Sequence, residues 1–123
     1  MMVPIKPRIS VDYTENATVI RFVDEKILEE QEIQAVQESI MSVIEQSKHL
    51  NLILDFGKVQ FLSSAVLGLL IRISKQIYEH DGQLRFCNIN PKIYEIFKIT
   101  RLTKIFDIYD DLASAEASFL HSD

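Results

Sequence analysis

Leu50-Asn51-Leu52-Ile53-Leu54-Asp55-Phe56 is followed by Gly57-Lys58-Val59-Gln60-Phe61-Leu62 and then by Ser63-Ser64-Ala65-Val66-Leu67-Gly68-Leu69-Leu70. The first run is too short for an isolated helix and is apolar at neighbouring positions. Both of its faces therefore need cover, which is the mark of a buried strand lying parallel to a neighbour. Gly57-Lys58 breaks the strand. From Ser63-Ser64 onward the apolar residues recur at helical spacing to about Glu79. A strand, a break and a helix within thirty or so residues is the repeating unit of an α/β domain.

The flanks extend the same alternation. Residues 8–14 place Ile9, Val11 and Tyr13 on one face at the two-residue period of a strand. Glu15-Asn16 makes a turn, and the β-branched run Thr18 to Val23 returns as the second strand of a hairpin. Ile33, Val36, Ile40, Val43 and Ile44 then predict an amphipathic helix over about residues 30–48. The acidic run Glu25 to Glu32 reads as a solvated loop and helix start. Asp81-Gly82 marks a turn before a strand at Leu84 to Cys87. Asn90-Pro91 signals a helix start, with Asn as cap and Pro at the first helical position, and Ile93, Ile96 and Phe97 form its apolar side. Ile105 to Ile108 predicts a last edge strand. Asp110 or Asp111 caps a final helix bearing Leu112, Ala115 and Phe119. The order β-β-α-β-α-β-α-β-α predicts a central mixed sheet of four to five strands with about four helices packed on it.

Bulk properties narrow the function. A chain of 123 residues with 47% apolar and 25% charged residues is globular rather than disordered. One domain over residues 1–123 is expected, with residues 1–7, containing Pro4 and Pro7, as a short extended lead-in. The net charge is −5 and the basic residues are scattered, which argues against nucleic acid. No apolar run approaches the roughly 18 residues that span a bilayer, so membrane insertion is not expected. The first residues lack a long apolar segment of the secretory kind. Cys87 is the sole cysteine, cannot form an internal disulfide, and fits a reducing cytoplasm.

Chemistry-bearing patterns are few. His49, His80 and His121 have no metal-ligand spacing, and each reads as a surface or helix-end residue. Cys87 reads as core packing. Leu62-Ser63-Ser64-Ala65-Val66 is not a G-x-S-x-G elbow, and neither a Walker-A motif nor G-x-G-x-x-G is present. No pattern here points to a catalytic centre, and no cofactor and no metal are expected. Ser63-Ser64 remains the most informative pair. A helix start presents unpaired N–H groups and partial positive charge, which suits a phosphate. The third residues on are Val66 and Leu67, so no capping-box carboxylate competes there. Either serine can instead serve as a simple N-cap. Along this helix the apolar positions cover roughly 200°, about twice what seating on a core requires. The excess is either an exposed partner-binding flank or surface covered by neighbouring helices.

The segment Leu52 to Leu70, with Gly82-Gln83-Leu84-Arg85-Phe86-Cys87-Asn88 and the run Thr100 to Tyr109, resembles the STAS family of bacterial regulators, in particular its anti-sigma factor antagonists. The resemblance covers nearly the whole chain. It implies a partner protein, an anti-sigma factor that is also a serine kinase, with a sigma factor released indirectly. It implies Ser64 as the phosphoacceptor, with Ser63 second, and Ser63, Ser64, Ala65, Leu67 and Gly68 as the partner-binding residues. Two positions depart from the family pattern: Ser63 stands where Asp often precedes the acceptor, and Val66 stands where Gly often follows it. The alternative within the family is a scaffold of another regulatory or transport complex, without phosphorylation.

Overall fold

The computed structural model describes residues 8–47 and 50–121; the expected lead-in at 1–7 and His49 lie outside the described residues. Strand β1 (Ile9–Tyr13) and strand β2 (Thr18–Phe22) form an antiparallel hairpin in which Ile9 faces Phe22 and Tyr13 faces Thr18. The Thr14 hydroxyl oxygen accepts from the Ala17 N–H at 3.0 Å and closes the turn. The chain continues through β3 (Lys26–Ile27), α1 (Glu30–Glu45), β4 (Asn51–Asp55), β5 (Phe61–Leu62) and α2 (Ser64–Glu79). It ends with β6 (Gln83–Cys87), α3 (Pro91–Ile99), a 3-10 turn at Leu102–Lys104, β7 (Asp107–Tyr109), α4 (Leu112–Ser118) and a second 3-10 turn at Phe119–His121. The main sheet has five strands in the order β1-β2-β4-β6-β7, parallel from β2 onward. This is the mixed sheet expected from the sequence, with β4 at its centre and β7 at its edge.

Both faces of the sheet are covered, which explains the unbroken apolar runs. On one face Ile20, Leu52, Leu54, Leu84 and Phe86 meet α1 (Val36, Ile40), α2 (Leu70, Ile73, Ile77) and α3 (Phe97). On the other face the alternate residues Val19, Ile53 and Cys87 meet Ala115 of α4 and Phe119. Arg85 also points to this second face. Its Nε donates to the Ser118 hydroxyl at 3.0 Å, its Nη2 donates to Gln83 Oε1 at 2.7 Å, and its guanidinium lies 4.6 Å from the Phe119 ring centre. Its Nη1 pairs with Asp107 Oδ2 at 3.3 Å, so this buried cation has an anion as well as neutral acceptors.

Local signals act as expected, with some corrections. Asn90 Oδ1 accepts from the Ile93 N–H at 2.9 Å and caps α3. Asp111, not Asp110, caps α4 by accepting from the Ser114 N–H at 2.7 Å, and the Ser114 backbone and side chain hold its carboxyl below the ordinary range. At the Asp81-Gly82 turn it is Asp81 that takes the left-handed conformation (φ 59°). Gly82 is required for a different reason: a Cβ there would lie 2.5 Å from the Leu50 carbonyl oxygen. The last strand begins at Asp107, so Ile105 lies before it in the turn, 55% exposed. The two-residue strands β3 and β5 pair in parallel as a separate ribbon that the sequence reading missed.

Candidate functional site

The ribbon matters because it sets where α2 begins. Asp55 ends β4 buried; its carboxylate accepts from the Gly57 N–H at 2.9 Å and Asn88 Nδ2 at 3.1 Å, and pairs with Arg21 Nε at 3.3 Å. Val59 then turns back into the core, fully buried. Asn90 Nδ2 donates to the Val59 carbonyl at 3.0 Å. The Gln60 and Phe61 N–H groups both donate to the Glu25 carbonyl, at 2.7 and 3.0 Å, and the Ser63 N–H donates to the Ile27 carbonyl at 3.0 Å. Hydrogen bonds therefore hold the connection at both ends and leave little freedom at the helix start.

Ser63 is the N-cap residue, with extended backbone (φ −87°, ψ 163°), but its side chain makes no capping hydrogen bond. Its Oγ is buried and without a partner. The reading of Ser63 as a capping side chain is thus corrected: it occupies the cap position without doing the cap's work. Ser64 is the first helical residue and is exposed, as is Ala65. No acidic residue lies in the first turn. The helix end is therefore open to an added anion at Ser64.

Ser63, Ala65 and Gly68 line a groove of about 610 Å³ between α2 and α1. Leu28, Gln34 and Gln37 form its opposite side, and Arg72 Nη2 donates to Gln37 Oε1 at 3.1 Å across it. Gly68 keeps the groove open without being forced to, since a Cβ there would meet Arg72 at an ordinary 3.6 Å. Leu67 does not join this surface. It is 9% exposed and packs in the main core, because its place on the helix turns it inward. Sequence reasoning found the helix-start residues but missed the α1 side of the groove, where only polar-face residues such as Gln34 and Gln37 signal it. Of the wide apolar arc on α2, Val66, Leu69, Leu70, Ile73 and Ile77 are buried, while Ile71 and Tyr78 are 43% and 51% exposed.

Other candidate groups resolve simply. Cys87 is fully buried, and burial, reinforced by the Asp55 charge, pushes its thiol up to about 12, so it is not a nucleophile at neutral pH. His80 sits at the end of α2 with Nδ1 2.8 Å from the Gln76 carbonyl oxygen. Among the described residues no group of three or more His, Cys, Asp or Glu side chains is placed to hold a metal ion. No described helix is long and apolar enough to cross a membrane.

The STAS domain family pattern matches residues 8–115. The chain belongs to the STAS domain family. A stretch of 67 residues in this STAS domain is 31% identical to a Bordetella bronchiseptica protein named as an anti-sigma factor antagonist, covering 54% of this chain and 58% of that one. Another of 65 residues is 29% identical to the anti-sigma F factor antagonist of Paenibacillus polymyxa, covering 53% and 56%. The matched stretches thus span little more than half the length of these relatives. An anti-sigma factor antagonist STAS domain protein of Planctomyces limnophilus has the same fold, with a TM-score of 0.83 at 23% identity over 91% of this chain and 97% of that one.

Proposed function

We propose that residues 1–123 form one STAS domain that works as an anti-sigma factor antagonist in the cytoplasm. It binds an anti-sigma factor that is also a serine kinase, and so frees a sigma factor that it does not itself touch. Ser64 is the phosphate acceptor, and Ser63, Ala65 and Gly68 belong to the contact surface beside it. The protein acts by binding and not by turnover.

The observation that carries this reading is the exposed residue Ser64 at the first position of α2, on a helix end with no side-chain cap and no acidic residue in its first turn. Phosphorylation would add about −1.5 to −2 charge there. The groove next to it, walled by Ser63, Ala65 and Gly68, is where a partner would meet that charge. The antagonist names of the two sequence relatives support the partner class.

The test is calorimetric titration of wild type, Ser64→Ala and Ser64→Asp against a partner recovered by pull-down, with ATP incubation and mass spectrometry alongside. Ser64→Ala should bind and resist phosphorylation. Ser64→Asp should bind about tenfold more weakly, equivalent to about 1.4 kcal/mol. Equal binding by both variants, with no phosphate on either serine, would replace the switch with a phosphorylation-independent scaffold.

A further inference from the structure

We propose that a second groove, between β5, the β3–α1 connection and α3, docks an acidic segment of the partner protein carrying one apolar anchor side chain. Only the partner's identity as an anti-sigma factor rests on the function proposed above; the groove's chemistry does not.

Large apolar side chains stand open here. Phe61 is 49% exposed, Leu28 47% and Ile96 37%. They line a groove of about 400 Å³ together with Lys26 and Lys92, which is room for a side-chain anchor rather than a globular surface. The two ammonium groups lie 5.8 Å each from the centre of the Phe61 ring. No carboxylate lines the groove. The wall itself thus carries two cations and no anion, although the run that supplies Lys26 and Leu28 is otherwise acidic. An apolar side chain seated on Phe61, with carboxylates beside it, meets both features at once. The lysines are then paired and the ring loses its water.

The groove also adjoins the proposed contact surface. Leu28 lines both this groove and the one beside Ser63, Ala65 and Gly68. A partner bound over Ser64 therefore has this second site within reach, and a tethered segment gains from the first contact. An anionic lipid surface fits less well, since two lysines on an acidic chain oppose the repulsion of the rest only weakly.

The experiment uses fluorescence anisotropy with a set of labelled peptides in which Leu, Phe or Trp is flanked on both sides by Glu, and a matching set flanked by Lys. Wild type should bind at least one acidic peptide with a dissociation constant below about 1 mM and bind its Lys counterpart at least tenfold more weakly. The double variant Lys26→Glu/Lys92→Glu should invert that preference, and Phe61→Ser should weaken the acidic peptide at least tenfold. These side chains are exposed or half-exposed, and circular dichroism of each variant checks that it folds. The proposal is overturned if no acidic peptide binds, if both sets bind alike, or if the double variant keeps the wild-type preference. It is also overturned if wild type instead co-sediments with phosphatidylserine vesicles, or self-associates in a manner lost in Phe61→Ser. Peptide binding that survives while no kinase partner modifies Ser64 would leave the groove assignment standing and sink only the switch.

Discussion

Asn90 gives the most direct test of how α2 is positioned, because one side chain does two separable jobs. Its Oδ1 caps α3 at the Ile93 N–H (2.9 Å), and its Nδ2 holds the Val59 carbonyl (3.0 Å) in the connection that leads to Ser64. An N-cap is worth about 1 kcal/mol, and a partly buried hydrogen bond about 1 kcal/mol net. Asn90→Ala should therefore lose about 2 kcal/mol, which for a domain of this size lowers the melting temperature by about 8 °C. Asn90→Asp keeps the cap acceptor and favours the helix dipole, but it faces the Val59 carbonyl with another acceptor. It should still lose about 1–3 kcal/mol. Thermal and chemical denaturation read the stability. Hydrogen exchange reads the location, with faster exchange expected at the amides of residues 59–63 in Asn90→Asp and little change in the β1–β2 hairpin. An Asp variant as stable as wild type, with exchange at residues 59–63 also unchanged, would show that the bridge to Val59 contributes nothing. An Ala variant within about 0.5 kcal/mol of wild type would refute both roles.

Leu54 is fully buried at the centre of the sheet, so Leu54→Ala should cost about 2–5 kcal/mol by chemical denaturation. Ser63→Ala should cost no more than about 0.5 kcal/mol, unlike an ordinary cap, because the buried Ser63 Oγ has no partner to lose, and any larger change should favour the variant. The Cys87 thiol titrates near 9 when free and near 12 in the fold. Across that window the unfolded chain has lost a proton that the native one keeps, so stability falls as pH rises from about 9 to about 12. The stability difference between wild type and Cys87→Ala, measured by urea titration, should shift against wild type over the same range.

What could be read from the sequence depended on whether a residue's partner lies nearby in the chain. Leu52-Ile53-Leu54 declared a strand because both of its own faces are buried, and Asn90-Pro91 declared a helix start because a cap is a contact three residues long. The choice between Asp110 and Asp111 stayed open, since only geometry decides which carboxylate reaches the Ser114 N–H. The strands β3 and β5 were invisible: two residues carry no period, and what pairs Lys26-Ile27 with Phe61-Leu62 is the path of the main sheet. Leu67 was placed on the contact surface because it belongs to the run after Ser64; its burial follows from the helix phase, which the core and not the motif sets. Ile71 and Tyr78 show the converse. The width of an apolar arc does not say which part a neighbouring helix covers. The groove beside Ser63 was missed for the same reason, since its far wall comes from α1, about thirty residues earlier.

The rigidity of the helix start bears on how a charge at Ser64 would act. The connection before it is held by the Glu25, Ile27 and Asn90 contacts, none of which involves the Ser64 side chain. Ser64 itself is exposed, so an anion there displaces no buried group. Negative charge at a helix N-terminus is favourable, by about 0.3–1 kcal/mol at an exposed site. Ser64→Asp should therefore leave the melting temperature unchanged or slightly raise it, even as it weakens partner binding. A switch that worked by unfolding α2 would do the opposite, lowering stability and binding together. Thermal denaturation of Ser64→Asp beside its titration against the partner separates the two: loss of more than about 1 kcal/mol of stability would show that the charge acts through the fold and not at the contact.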